Sequence, residues 1–350
     1  MSSKKATGEF DLRPAWRLGD PKIERDAIEF WNRVKILPAD VRPEDRAGEL
    51  VSVAYAGDRI VGVATAHLAN IKTLRGRFGG LRIAVDPEHR RRGLGTALTV
   101  SARDLFEEWS LGHPEEKVLG MAAVVESEGL AERLREPVWP VRFNLAHFLP
   151  DGRQLRVAWF AHARLDPVDS GQAALPDQVD ASAVSTGNAA EEFDLRPAWR
   201  RGDATIEHDA IEFWNRLKVL PADVRPEDRV AELAVVAYAG ERIVGVATAE
   251  VGHIKTLRGL FAGLRCAVDP DHRRKGLAAA LTVRARDLIE QWSLQHPEEK
   301  VLGLAALVES PDLAIPLRKP VWPRTGLNLA HFLPDGRQLR IAWFAHARLD

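Results

Sequence analysis

Apolar positions along this chain change their period repeatedly, and each change marks an element. Phe10 to Ala15 reads as a short strand, and Ile23, Ala27, Phe30, Trp31 and Val34 then recur at the spacing of one helix face. β-Branched runs over Leu50 to Ala56 and Arg59 to Leu68 flank Gly57-Asp58 and predict a hairpin. A strand over Phe78 to Val85 leads into a helix over Gly93 to Trp109, whose Leu94, Leu98, Ala102, Leu105 and Trp109 fall on one face. Val118 to Val125 reads as strand and Glu128 to Arg135 as a short helix. Asn144 to Leu149 and Leu155 to Arg164 form a closing hairpin around Pro150-Asp151-Gly152. The order β-α-β-β-β-α-β-α-β-β predicts an α/β sandwich (α+β) built on a mixed, mostly antiparallel sheet.

The whole pattern then occurs again. Glu9-Phe10-Asp11-Leu12-Arg13-Pro14 returns as Glu192-Phe193-Asp194-Leu195-Arg196-Pro197, and the echo runs on until Ala163-Arg164-Leu165-Asp166 is matched by Ala347-Arg348-Leu349-Asp350. A unit this long can bury its own core, so the chain is a tandem duplication rather than a solenoid. The expected organisation is a domain over 9–166, a linker over 167–191 poor in large apolar residues, and a domain over 192–350. Composition narrows the function. The formal charge is −1, from 49 basic and 50 acidic side chains, so no global field favours nucleic acid or an anionic membrane. The single cysteine, Cys266, excludes an internal disulfide, and no apolar run is long enough to span a bilayer. A soluble, cytoplasmic monomer or homodimer is expected, with no metal called for.

Chemistry concentrates where the third strand of the central group turns into the long helix. There the first copy reads Val85-Asp86-Pro87-Glu88-His89-Arg90-Arg91-Arg92-Gly93-Leu94-Gly95-Thr96, and the second Val268-Asp269-Pro270-Asp271-His272-Arg273-Arg274-Lys275-Gly276-Leu277-Ala278-Ala279. A helix start presents unpaired amides whose combined dipole attracts an anion, small residues let a diphosphate approach them, and the preceding cations add charge. Neither copy supplies the G-x-x-x-x-G-K-[ST] of a nucleoside triphosphatase. Leu98 and Ala278 break the G-x-G-x-x-G of a dinucleotide site.

What both copies keep, basic-x-x-Gly-x-small, resembles the Gln/Arg-x-x-Gly-x-Gly/Ala signature of the GNAT superfamily of N-acetyltransferases. The resemblance covers nearly all of each copy. It implies two tandem GNAT-like domains, each with helices on both faces of its sheet, and acetyl-CoA or another acyl-CoA as cofactor. It implies that Arg90, Arg91, Arg92, Gly93, Leu94, Gly95 and Thr96, and likewise Arg273, Arg274, Lys275, Gly276, Leu277, Ala278 and Ala279, hold the coenzyme A diphosphate. Backbone groups of the preceding strand, at Ile83, Ala84 and Val85 and at Cys266, Ala267 and Val268, would line the acyl arm.

The activity it implies is an acyl-CoA-dependent N-acyltransferase, most simply acetyl transfer to a primary amine by direct attack in a ternary complex. The alternatives are a non-catalytic CoA-sensing or partner-binding module, and a transferase using a longer acyl-CoA. Stripping the proton from a lysine-like amine at pH 7 costs about 4–5 kcal/mol, so a base is needed. The family often carries a general-acid Tyr after the fifth strand. That position falls here on Arg135 and Arg318, and an accompanying Asn position on Glu128 and Pro311. Tyr55 and Tyr238, the only tyrosines, lie in the hairpin strand and read as half-buried sheet residues. The preferred catalytic residues are therefore Glu126 with Ser127 and Glu309 with Ser310, at the end of the fifth strand, although Ser127 also suits a helix N-cap. His89 and His272 read as phosphate or solvent contacts, His147 and His331 as packed histidines, and Cys266 as a small buried hydrophobe. For the amine acceptor, the resemblance points to Trp31, Asn32, Leu37, Asp40, Glu44 and Asp45, with Trp214, Asn215, Leu220, Asp223, Glu227 and Asp228 in the second copy. Helix starts with acidic capping and core aromatics are the stronger explanation of the same residues.

Overall fold

The computed structural model describes residues 9–126, 128–131, 135–166, 192–308 and 318–349, and the expected linker over 167–191 lies outside them. The chain divides into two compact units that part between Leu165 and Asp166, except that Arg135–Pro137 group with the second. The first unit contains β1 (Asp11–Pro14), α1 (Pro21–Val34), α2 (Pro43–Ala47), β2 (Leu50–Ala56), β3 (Arg59–Ile71), β4 (Gly76–Val85), α3 (Leu94–Gly112), β5 (Val118–Val125), α4 (Glu128–Ala131), β6 (Asn144–Phe148) and β7 (Gln154–Trp159). Its sheet runs β1-β2-β3-β4-β5-β7-β6, antiparallel except for the β4–β5 pair.

The second unit repeats the plan with β8 (Asp194–Pro197), α5 (Ala204–Leu217), α6 (Pro226–Arg229), β9 (Leu233–Ala239), β10 (Arg242–Ile254), β11 (Gly259–Val268), α7 (Leu277–Gln295), β12 (Val301–Val308), β13 (Val321–Trp322), β14 (Leu327–Phe332) and β15 (Gln338–Trp343). Its order is β13-β14-β15-β12-β11-β10-β9-β8, with β11 and β12 parallel. Two mixed, mostly antiparallel sheets with helices on both faces are the expected architecture.

Local chemistry explains the main elements. α1 starts at Pro21, behind an Asp20 carboxylate that accepts from the Lys22 and Ile23 amides, and buries Ile23, Ala27, Phe30 and Trp31 against the sheet. α3 covers the opposite face. There a methyl group built on Gly62 would lie 2.9 Å from Leu98 Cδ1, and one on Gly79 2.7 Å from Phe106 Cε1, so the helix sits tight against β3 and β4. At the two positions of the Gly79–Phe106 contact the second copy has Ala262 and Ile289, a larger strand residue with a smaller helix residue.

Four features differ from the sequence pattern. α2 is too short to show a period; it forms because Pro43 sits at its first position with Glu44 and Asp45 beside the helix start. β3 continues past Leu68 to Ile71 because β4 pairs with it as far as Gly76. β7 stops at Trp159, since the Phe160 amide turns to the Leu119 carbonyl and the chain then folds back through an Ala163 to Phe160 bond. The buried stripe of α3 ends on Phe106 and Ser110, leaving Leu105 and Trp109 half-buried. Among the described residues no helix is long and apolar enough to cross a membrane.

Candidate functional site: a gap in the sheet with a cationic mouth

β4 and β5 begin as neighbours and then part. Pairing runs from Arg77 with Val118 to Gly80 with Ala122 and stops, although β4 continues to Val85 and β5 to Val125. In the second unit pairing stops at Leu264 with Ala306. Beyond these points β5 and β12 remain bonded to β7 and β15, so the central sheet opens as a V. The Asp86 amide donates to the Val61 carbonyl, 2.9 Å away on the β3 side. Because amides alternate along a strand, Val85 and Ile83 turn theirs into the gap. Asp269 bonded to Val244 does the same for Val268 and Cys266.

Cys266 corrects an expectation. It is exposed, because β11 has lost its neighbour there. The surrounding protein pushes the thiol up to about 11, against a weak contact with Thr282 Oγ1 at 3.8 Å; even the ordinary thiol value lies above neutrality, so it is a thiol at neutral pH.

The mouth of the V is the cation-rich loop. Asp86 anchors it: its carboxylate accepts from the Glu88 amide at 3.2 Å and from Arg33 of α1 at 3.3 Å, while Arg33 also donates to the Ile60 carbonyl at 2.8 Å. Arg216 and Asp269 repeat the tie at 2.6 Å. Arg91 and Arg274 then adopt the left-handed backbone region (φ 64° and 63°), followed by Gly93 and Gly276 (φ 78° and 79°) as helix caps. Such alternation curls successive amides toward one point. No side chain caps either helix. The first internal bonds run from Ala97 to Gly93 and from Ala280 to Gly276, leaving the amides of Leu94, Gly95 and Thr96, and of Leu277, Ala278 and Ala279, without acceptors in the helix.

The cations are partly engaged. Arg90 Nε donates to the Val85 carbonyl at 3.1 Å, Arg92 pairs with Glu9 at 2.5 Å, and Lys275 lies 3.6 Å from Glu192. These exposed pairs are weak and can yield to a diphosphate. Glu9 and Glu192, far away in sequence, were not legible as partners of Arg92 and Lys275. The copies also differ. A methyl group built on Gly276 would lie 3.1 Å from Arg324 Nη1, whereas the same place on Gly93 is empty to 4 Å. Arg324 sits in a turn that is one residue longer in the second copy.

The expected catalytic residues are only partly visible. Glu126 follows β5 with its side chain 70% exposed and 3.7 Å from Arg153, four residues and so about 13 Å beyond the vertex at Ala122. Ser127, Glu309 and Ser310 lie outside the described residues, as does Pro311. Tyr55 and Tyr238 are buried, donate to Asp26 and Asp209 at 2.7 and 2.6 Å, and are driven well above the ordinary phenol range by burial and those carboxylates.

His89 and His272 pack edge-on against Phe10 and Phe193, each with a buried Nδ1. His147 and His331 are buried in β6 and β14. Of the acceptor candidates, Trp31 and Trp214 belong to the core, and Asp45 and Asp228 are clamped by Arg42 and Arg225. Asn32, Asp40 and Glu44 are exposed around the α1–α2 connection.

Residues 47–130 match the family described as an acetyltransferase (GNAT) domain, and residues 195–304 match the acetyltransferase (GNAT) family. No curated protein matches the chain. Solved structures similar to it include an acetyltransferase of the GNAT family from Streptococcus pneumoniae (16% identity, 44% of this chain and 100% of that one, TM-score 0.30). N-acetylglutamate synthase from Neisseria gonorrhoeae, complexed with coenzyme A and L-arginine, is another (16% identity, 43% and 33%, TM-score 0.28). A third is AtaTR bound with acetyl-CoA (11% identity, 43% and 95%, TM-score 0.31).

Proposed function

Because the chain belongs to the GNAT acetyltransferase family, with one family domain in each copy, we propose that it is an acyl-CoA-dependent N-acyltransferase moving an acetyl group from acetyl-CoA to a primary amine. One observation carries this reading. In both copies a strand gap runs from a closed vertex to a mouth where an uncapped helix start and three successive cations stand together. A diphosphate held at Arg90–Thr96 or Arg273–Ala279 leaves the rest of the carrier to lie along Ile83, Ala84 and Val85, or Cys266, Ala267 and Val268, with its acyl end toward the vertex.

The gap-facing amides of Ile83 and Cys266 suit polarisation of the thioester carbonyl. The neutral amine attacks that carbon, a C–N bond forms and the C–S bond breaks; the single proton the nitrogen loses goes to a base, and the leaving thiolate takes its proton from a separate acid, the roles given to the carboxylate and the hydroxyl of each pair. Glu126 with Ser127 and Glu309 with Ser310 are the proposed proton-transfer pairs. A binding-only role finds support in the two tyrosines, which are sealed against aspartates and supply no phenol to the gap. Titration of the intact protein with acetyl-CoA in a calorimeter, followed by thiol release with a panel of amines, tests the proposal. Two bound acetyl-CoA per chain and amine-dependent release are expected; absence of binding overturns the assignment, and binding without release with any amine establishes the binding-only role.

A further inference from the structure

The two copies differ at the closed end of the V. α3 seals one face of the sheet there through Phe106 on Gly79, so an acceptor must arrive from the face that carries α1 and α2. On that face, one strand away from the vertex, the first copy has His67 and the second has Glu250. His67 pairs with Gly80, where β4 parts from β5, and its ring lies over Gly80, 2.6 Å from a methyl group built there. Glu250 pairs with Gly263, one residue before the gap opens, and leaves it uncovered by its side chain.

The surroundings are otherwise alike. In the first copy Arg82 of β4 donates to His67 Nδ1 at 2.8 Å and lies 3.7 Å from Glu49, which pairs with Arg46 of α2 at 2.5 Å. A guanidinium only donates, so Nδ1 is the accepting nitrogen and the imidazole is neutral. Burial and the Arg82 charge act in the same direction, holding His67 below its ordinary range. In the second copy Arg265 of β11 lies 3.6 Å from Glu232 and 3.9 Å from Glu250, and Glu232 pairs with Arg229 of α6 at 2.5 Å. The first cluster therefore has two cations and one carboxylate. The second has two of each, and Glu250 is 63% exposed beside the vertex.

We infer that this position sets the charge of the acceptor: the second copy takes amines carrying a further positive charge, bound by Glu250, and the first takes amines carrying a carboxylate, bound beside Arg82. This rests on the transferase reading above. Matched probes are 1,4-diaminobutane and 4-aminobutanoate, which differ only in the charge of the far end. Each copy is read by thiol release in the full chain with the other cradle closed, by Gly95→Glu or Ala278→Glu, after calorimetry has verified that the remaining site binds acetyl-CoA.

The second copy is expected to prefer the diamine by about fivefold in kcat/KM, the scale of one exposed charge pair. Glu250→Gln should remove that preference, lowering kcat/KM for the diamine relative to 4-aminobutanoate. The first copy should prefer 4-aminobutanoate, and His67→Glu should shift it toward the diamine. An acceptor ratio that is equal in the two copies, or that neither substitution moves, overturns the inference, as does a protein that binds acetyl-CoA and releases no thiol with either probe. A parent chain that binds no acetyl-CoA overturns the transferase reading instead.

Discussion

At the scale of single residues, the aspartate that closes β4 matters most to the candidate site and touches none of the proposed ligand. Burial opposes ionisation of Asp86, but the Glu88 amide and Arg33 outweigh it and hold the carboxyl below its ordinary value of 3.8. Asp269 stands the same way, beside Arg216 and Asp271. A depressed carboxylate contributes stability that is complete above the unfolded value and is lost as pH falls through the folded one, here below about pH 4. Asp86→Asn keeps the shape and removes the charge, and it is expected to cost about 1–3 kcal/mol at pH 7, the scale of a charged hydrogen bond. Urea unfolding at pH 7 and pH 3 checks the sign: the difference between the parent and Asp86→Asn should shrink at pH 3. A difference that persists undiminished in acid would mean that the Arg33 tie contributes through packing instead. The Val-Asp-Pro corner was plain in the sequence; its Arg33 partner was not, because α1 and the loop meet only after β2 and β3 have folded between them.

At the scale of elements, the two glycines of the first cradle have different reasons to exist. Gly93 caps α3 in the left-handed region, where a side chain costs about 1–2 kcal/mol whatever the space around it. Gly95 has an unremarkable backbone and nothing within 4 Å of a built methyl group, which is why the second copy can carry Ala278. Gly95→Ala should therefore stabilise α3 by about 0.5–1 kcal/mol and leave acetyl-CoA binding intact. Gly93→Ala should destabilise and weaken binding at that site about tenfold, as the strained cap swings the amides away. Thermal unfolding and calorimetry on the two variants separate these outcomes; equal effects would show that only bulk matters. The loop and its helix were legible because apolar period and charge change abruptly at Gly93. The V was not. Leu81-Arg82-Ile83-Ala84-Val85 and Ala123-Val124-Val125 read as strand whether or not they pair, and register between strands leaves no mark on either sequence alone.

For the molecule as a whole, duplication was legible at once, whereas the inequality of the copies was not. A one-residue insertion before β14 places Arg324 against the α7 start, and only in the second unit. A guanidinium beside the positive end of a helix is unfavourable by a few tenths of a kcal/mol to about 1 kcal/mol. The same charge favours any anion that enters between them, so an arrangement that is strained when empty is suited to a bound diphosphate. The two cradles should therefore differ in affinity. Gly95→Glu, which puts a carboxylate into the first, should leave one acetyl-CoA per chain at the tighter site, and Ala278→Glu should leave one at the weaker. The difference should be about fivefold, corresponding to about 1 kcal/mol, and should narrow as salt screens the exposed charge. Arg324→Ala in the Gly95→Glu chain should then bring the remaining site down to the affinity of the first. If that substitution tightens binding instead, Arg324 blocks the second cradle, and the first copy is the one that holds the carrier at low ligand concentration.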